Sequence, residues 1–218
     1  MSVIGACFHP GGYAFCPGSI EQVLAEVKAE SGAGQLVIVS AHWGDELIDR
    51  PNLWQRITAR RLMQAGARLV IGHHAHVVQG IDAGVDGMVA YSLGNFIFDS
   101  DSGLMDWSVI LSVSLSDTAA TGHEVIPVVW GEDFRPFVAD ETRAQMIHRE
   151  VARRNGLAAE DPEDVAQYEA VYQTEVRALD RRLRQEMWRY LFTHWLRYKC
   201  IFWPQILLRP VQRRIGTW

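Results

Sequence analysis

The sequence predicts an α/β fold, and three observations carry that prediction. Two apolar runs of strand length, 36–41 and 69–72, flank a segment with helical spacing at 51–66. Strand, helix and strand in this order form a βαβ unit, whose crossover places the two strands parallel. From about residue 137 the chain changes to long helical periodicity. The 218 residues suffice for one domain with a sizeable core or for one domain plus an appendage. A composition of 48% hydrophobic and 22% charged residues is typical of globular proteins and excludes a disordered or fibrous protein.

The first predicted elements are a strand over Val3–Phe8, a loop rich in Gly and Pro, and a helix that begins at Ser19. Gln22 follows Ser19 by three positions and completes a capping box. In the βαβ unit, the apolar run from Leu36 to Ala41 indicates a strand buried on both faces. Pro51 is predicted at the first helical position of the crossover helix, which ends at Gly66.

Shorter strands with turns are predicted from Met88 onward. Apolar residues alternate with serines between Trp107 and Leu115, which indicates a strand with one buried face in an antiparallel hairpin. The complete set of these predicted strands is 89–92, 96–98, 107–115 and 124–130.

Two helices are predicted after residue 137. Asp140 caps the first, which ends near Gly156, and Asp161 with Pro162 begins the second. The second carries one apolar stripe at steps of three and four residues until Pro204 stops it. The stripe consists of Val165, Tyr168, Tyr172, Val176, Leu179, Leu183, Met187, Tyr190, His194, Tyr198 and Ile201.

The net charge of −5 averages two unlike parts of the chain. Residues 181–218 hold nine basic and one acidic residue, a net of +8, whereas the first 180 residues sum to −13. Four of the eight tryptophans also lie in this basic aromatic tail. Three scattered cysteines predict free thiols, with a bridge between Cys7 and Cys16 as the alternative. The N-terminal residues predict no signal peptide, and no apolar run is long enough to predict a transmembrane span.

Four histidines lie where the two parallel strands end: His42, His73, His74 and His76. Parallel neighbours end at the same edge of a sheet, where open α/β sheets hold their ligands. In an extended segment alternate residues share a face, so His74 and His76 are predicted to point together with His42 near them. Three imidazoles suit zinc, manganese or iron, which leaves His73 as supporting or acid/base group.

Two further local features are candidates for the same site. Asp45 and Glu46 are the nearest carboxylates for a two-metal site, with a solvated turn as the alternative. The stretch 91–96 contains Gly94, which permits a tight backbone approach, and Asn95, which offers a donor and an acceptor. A simple turn is the alternative there.

Three ordered motifs at these positions resemble the bacterial capsule-synthesis family of the CapA or PgsA type, which is associated with poly-γ-glutamate. The resemblance covers roughly residues 1–135. The motifs are Ser-Ala-His42-Trp43-Gly44-Asp-Glu46, then Gly72-His73-His74-Ala75-His76-Val77, then Ser92-Leu93-Gly94-Asn95-Phe96.

The resemblance implies a calcineurin-like metallophosphoesterase domain, an α/β/β/α sandwich around a metal site. It implies divalent metal ions (Mn, Zn or Fe) and an anionic polymer or phosphoester substrate. The predicted roles are metal ligands at His42, His74 and His76, catalytic groups at His73 and Glu46, and substrate-binding residues at Trp43, Gly44 and Asn95.

The chain departs from the family pattern in two ways. Ala75 replaces the usual proline between the last two histidines, and the family's N-terminal motifs have no counterpart before Met1. We therefore predict that residues 1–136 are the C-terminal half of the family domain, that residues 137–218 are a helical extension, and that these residues alone leave a binuclear site incomplete. The predicted function is a capsule-synthesis protein with a phosphoesterase-like hydrolase domain. The alternative is a non-catalytic assembly or export component.

The basic aromatic tail, residues 181–218, has two interpretations of equal weight. It binds a membrane surface, since Trp and Arg residues alternate along it, or it packs on the body or on a protein partner. Nucleic acid is not expected as a partner because the body of the chain is acidic.

Overall fold

The computed structural model describes residues 1–8, 20–84, 87–98, 106–117, 119–131, 133–159 and 164–194. Within these ranges the chain forms two β-sheets and four helices, which confirms the predicted α/β class. The predicted helix start at Ser19, the helix start at Asp161–Pro162 and the tail beyond His194 lie outside the described residues.

The first sheet has five strands in the order β1-β2-β3-β5-β4. Strands β1, β2, β3 and β5 run parallel, and β4 pairs antiparallel with β5 at one edge. Apolar runs at the sheet centre account for these strands, because parallel strands are buried on both faces. Their bounds are Ser2–Cys7 (β1), Val37–His42 (β2), Ala67–His73 (β3), Ile81–Gly84 (β4) and Gly87–Ala90 (β5).

Helices α1 (Ile20–Gly32) and α2 (Leu53–Ala65) cover one face of this sheet. The prediction that Pro51 is the first helical residue of α2 was wrong. Asn52 is the N-cap, and its side chain and that of Gln55 form a reciprocal capping box. Two backbone N–H groups are satisfied by that pair, which places the start of α2 at Leu53. Gly66 ends the helix in the left-handed conformation, with φ of 114°.

The second sheet packs against the opposite face of the first. It is antiparallel, in the order β6-β7-β8, with bounds Trp107–Leu115 (β6), Ala120–Trp130 (β7) and Pro136–Val138 (β8). Ile38 and Ile71 of the first sheet meet Leu111, Val113 and Val125 of the second in one apolar cluster. The layers therefore follow the order helices, parallel sheet, antiparallel sheet. The predicted bounds of β6 are confirmed.

Three local predictions differ from the structure. The strand predicted at 96–98 is wrong, because the backbone bends at Phe96 and Ile97 instead of pairing. The strand predicted at 89–92 begins two residues earlier, at Gly87. Strands β4 and β8 were not predicted, since both are short edge strands with no apolar alternation of their own.

Helices α3 (Glu141–Ala159) and α4 (Val165–His194) both pack on the body of the chain. The Asp140 carboxylate accepts from the backbone N–H of Arg143 at 2.9 Å, which confirms the predicted cap of α3. Buried Tyr172 and Val176 on α4 pack with Ile48 from the loop after β2. No helix in the described ranges is both long and apolar enough to span a membrane.

Candidate metal centre

The ends of β2 and β3 lie side by side, and they carry the loops that form the candidate site. His42 and His73 are register partners across these two strands. Beyond them, the Trp43 N–H donates to the His73 carbonyl at 3.1 Å and the Leu47 N–H donates to the Ala75 carbonyl at 2.8 Å. The two loops are therefore locked to each other through their backbones.

Glu46, His74 and His76 converge in these loops. Each offers one potential ligand atom, and the three atoms all lie within 4.8 Å of one another. The His42 ring centroid lies 4.6 Å from that of His74, and the His74 and His76 centroids are 6.0 Å apart. The structure thus brings two of the three histidines predicted as ligands, His74 and His76, together with Glu46, while His42 lies against His74 outside that group.

The backbone reaches this arrangement by a route that the sequence did not predict. Strand β3 ends at His73, so His74 and His76 do not alternate along an extended segment. Both have positive φ values, 92° and 60°. Non-glycine residues rarely adopt this region, and where the surroundings enforce it the residue is often functional. Two left-handed turns, rather than strand alternation, direct these imidazoles.

Asn95 contacts the cluster directly. Its side-chain oxygen lies 2.8 Å from Nδ1 of His76, and Asn95 itself is buried. Once Nδ1 is engaged in this way, Nε2 of His76 is the ring nitrogen left for a ligand.

His73 and Asp45 have different surroundings from the three convergent side chains. His73 is half-buried, and this desolvation lowers its pKa, so burial favours the neutral imidazole. Asp45 accepts a hydrogen bond from the Asn52 amide at 3.0 Å and another from the Tyr172 hydroxyl. Asp45 therefore ties α2 and α4 to the loop, while Glu46, the exposed carboxylate, joins the histidines.

Trp43 and Gly44 lie beneath the site rather than on its surface. Trp43 is fully buried, stacks on Tyr91, and donates from Nε1 to the Tyr91 carbonyl at 2.9 Å. Gly44 has φ of 87°, and a Cβ there would come 2.6 Å from the Gln55 side chain. This packing supports a structural role for both residues and leaves the Trp43 ring no surface for a substrate.

The side chains of two buried glutamines hydrogen-bond to each other and to the loop that follows β2. No sequence motif predicted this pair. The Gln55 amide donates to Gln79 at 3.0 Å, and Gln79 in turn donates to the Ile48 carbonyl at 2.9 Å. Both side chains are fully buried. The capping pattern Asn52-x-x-Gln55 was the one available signal, and it indicates a helix start rather than a contact across 24 residues.

The donor set fits a divalent transition metal. Imidazole and carboxylate are ligands that zinc, manganese and iron share, and three protein ligands are typical of a catalytic zinc site. An oxygen acceptor on the second ring nitrogen is the usual partner of a metal-ligating histidine, and Asn95 supplies it to His76.

Comparison with known proteins agrees with the motifs. Residues 13–100 match the model of a family described as bacterial capsule synthesis protein PGA_cap. This match supports a CapA-type capsule synthesis family for the segment. The chain is 28% identical over 152 residues to "Capsule biosynthesis protein CapA" of Bacillus anthracis, and 31% identical over 137 residues to "PGA biosynthesis protein CapA" of Bacillus subtilis (strain 168).

The alignments cover 69% and 62% of this chain but only 37% and 35% of the two relatives. The chain thus spans little more than a third of the length of the curated relatives it matches. The family-matched segment contains Glu46, His74, His76 and Asn95. Helices α3 and α4 lie outside that segment.

Proposed function

We propose that this chain acts in capsule or poly-γ-glutamate biosynthesis through a metal-dependent, phosphoesterase-like hydrolytic site. The observation that carries the proposal is the convergence of Glu46, His74 and His76 inside the family-matched segment. The order of helices, parallel sheet and antiparallel sheet supports a calcineurin-like α/β/β/α sandwich as the parent fold.

His42, His74 and His76 would hold the metal in this proposal. When bound, a divalent ion supplies Lewis acidity toward an anionic substrate oxygen. Mn, Zn or Fe would serve, because each accepts imidazole and carboxylate donors. The substrate class is an anionic polymer or a phosphoester, whose negative charge a cationic centre would attract.

Glu46 and His73 would supply the proton transfers. Burial favours the neutral form of His73, the form that accepts a proton. Glu46 is exposed beside the two histidines, so it can accept a proton from an incoming nucleophile or act as a further metal ligand. The two roles separate experimentally: Glu46→Gln lowers kcat with little change in metal affinity if Glu46 is a base, and lowers metal affinity if it is a ligand.

Hydrolysis of nitrophenyl phosphate mono- and diesters tests this function. Because a two-metal site is predicted to be incomplete in these residues, the assay tests them as a one-metal centre. The chain, stripped with a chelator and reloaded with Mn²⁺ or Zn²⁺, is expected to hydrolyse at least one ester only when metal is present. Glu46→Gln is expected to lower kcat at least about tenfold, since general acid–base groups contribute at least that much. Glu26→Gln, at an exposed carboxylate on α1, is the matched control and should retain full activity. Metal-loaded chain that hydrolyses neither ester would refute the catalytic function.

A second candidate function is assembly or export at a membrane or protein surface, and α4 is the observation that favours it. The stripe residues Tyr168, Tyr172, Val176 and Leu179 are buried, but farther along the helix Trp188, Tyr190 and Phe192 are 42%, 52% and 76% exposed. Four arginines accompany these aromatics: Arg181, Arg182, Arg184 and Arg189. Exposed aromatic rings with basic residues are typical of helices that bind an anionic lipid surface.

Vesicle sedimentation tests the membrane form of this candidate. The chain is expected to sediment with phosphatidylglycerol vesicles, to remain in solution with phosphatidylcholine vesicles, and to be released by added salt. Trp188→Ala with Phe192→Ala is expected to weaken binding several-fold, whereas Val165→Ala with Val171→Ala, at exposed positions near the other end of α4, should leave it unchanged. Equal binding by both double variants would contradict a role for the α4 aromatics, and binding to a protein but not to vesicles would identify the partner alternative.

A further inference from the structure

The loop that carries Asn95 is braced on both sides. The backbone N–H of Gly94 donates to Ser92 Oγ at 3.3 Å, and the Leu93 carbonyl accepts from Ser108 Oγ at 2.6 Å. Gly94 has φ of 76°, which L side chains rarely adopt. Asn95 is therefore presented from a constrained turn rather than from a free loop.

The same loop is hydrogen-bonded to the segment that follows His76. The Gln79 N–H donates to the Ser92 carbonyl at 2.9 Å, and Val78 forms a β-bridge with Leu93. A Cβ on Gly94 would come 3.1 Å from a Val78 methyl group. These contacts set the position of Asn95 relative to His76, so their side chains meet as part of the backbone architecture.

The chemistry of the contact has one consequence for the imidazole. An amide oxygen only accepts hydrogen bonds, so the 2.8 Å contact between Asn95 Oδ1 and Nδ1 of His76 is a hydrogen bond only when Nδ1 carries the hydrogen. A neutral imidazole that is protonated on Nδ1 keeps its lone pair on Nε2. That lone pair is what a metal ligand must offer.

We propose that Asn95 is a positioning residue, which accepts a hydrogen bond from Nδ1–H of His76 and thereby holds this histidine as the tautomer with a free Nε2 lone pair. The Ser-Leu-Gly-Asn-Phe motif then has a physical role: its glycine permits the close loop contact, and its asparagine sets the tautomer. The use of that lone pair rests on the proposed metal centre, but the tautomer itself exists without metal.

Nitrogen NMR of the metal-free chain, labelled with ¹⁵N-histidine, measures the tautomer directly. At alkaline pH, the ring is expected as the Nδ1–H form in the wild type and in Asn95→Asp, which keeps an oxygen acceptor. In Asn95→Ala the ring is expected to shift toward the Nε2–H form or a mixture. A wild-type ring in the Nε2–H form would overturn the proposal even if Asn95→Ala failed to fold, and so would an unchanged tautomer in folded Asn95→Ala.

Zn²⁺ affinity, measured by competition with a chelating dye, supplies the second readout. Loss of an outer partner of a ligating histidine costs about 10- to 100-fold in affinity, so Asn95→Ala should weaken binding by that factor and Asn95→Asp should recover it. Asn155→Ala is the control, because Asn155 also accepts a hydrogen bond, from the Ile81 N–H, but lies on α3. The expected tautomer without any metal binding would refute the metal centre and leave the positioning role intact. Unchanged affinity in Asn95→Ala would refute the positioning role and leave the metal centre intact.

Discussion

Gly72→Ala is expected to destabilise the chain by about 3 kcal/mol or more, at the upper end of what overpacking costs. A Cβ on Gly72 would lie 1.9 Å from the Tyr91 carbonyl oxygen and 2.4 Å from Nε1 of Trp43. These two atoms are hydrogen-bonded to each other, so the added methyl group would intrude into that bond. Neither atom can rotate away, because one belongs to the backbone and the other to a fully buried ring.

Denaturant unfolding measures this effect, with Gly5→Ala as the matched control. Gly5 also lies within a strand of the parallel sheet, but a Cβ there meets nothing within 4 Å. Gly5→Ala is expected to change the free energy of unfolding by less than about 1 kcal/mol, because the backbone accepts the methyl group. Equal midpoints for the two variants would show that Trp43 and Tyr91 do not pack against β3 as described.

The double variant His74→Ala, His76→Ala is expected to lose at least about 100-fold in affinity for Zn²⁺ or Mn²⁺. Both imidazoles belong to the group whose ligand atoms lie within 4.8 Å of one another, so their removal leaves Glu46 as the one remaining member of that group. A site with so few protein donors binds these ions weakly in water, because solvent replaces each ligand that is lost. Isothermal titration of the chelator-stripped chain gives the affinity and the stoichiometry.

The control for this variant removes two histidines elsewhere. His123 on β7 and His148 on α3 are both exposed, so His123→Ala with His148→Ala deletes the same number of imidazoles without touching the cluster. We expect wild-type affinity from it. If the two double variants bind metal equally well, the cluster is not the metal site.

The sequence predicted the central strands because their apolar runs carry local information. The runs at 36–41 and 69–72 are buried on both faces, and β2 and β3 form within one or two residues of them. Edge strands carry no such signal, which is why β4 and β8 were not predicted. At the start of α2 two local signals competed, and the side-chain cap of Asn52 prevailed over the preference of Pro51 for the first helical position.

The residues of the candidate site could be predicted from the sequence, but the contacts between them could not. Parallel strand ends bring His42 near His74, as the βαβ order predicted. The left-handed turns at His74 and His76 depend on contacts among loops far apart in the sequence, so no local pattern indicates them. The partner of Asn95 has the same origin, because the contact joins residues 19 apart.

Trp43 illustrates a different limit. The family resemblance predicts a substrate-binding role for Trp43, and the structure places it in the core between Phe8, Trp54 and Tyr91. Its burial depends on Gly72, whose missing side chain makes room for the indole. The motif around Trp43 alone does not predict this burial, because the space for the indole depends on a glycine 29 positions away.

Anomalous diffraction from crystals of the chain soaked in Zn²⁺ locates the metal directly. We expect an anomalous peak between Glu46, His74 and His76, within about 2.0–2.2 Å of a ligand atom from at least two of them, with His76 bonded through Nε2. A fully occupied zinc bound at other residues, with none at this cluster, would contradict this expectation.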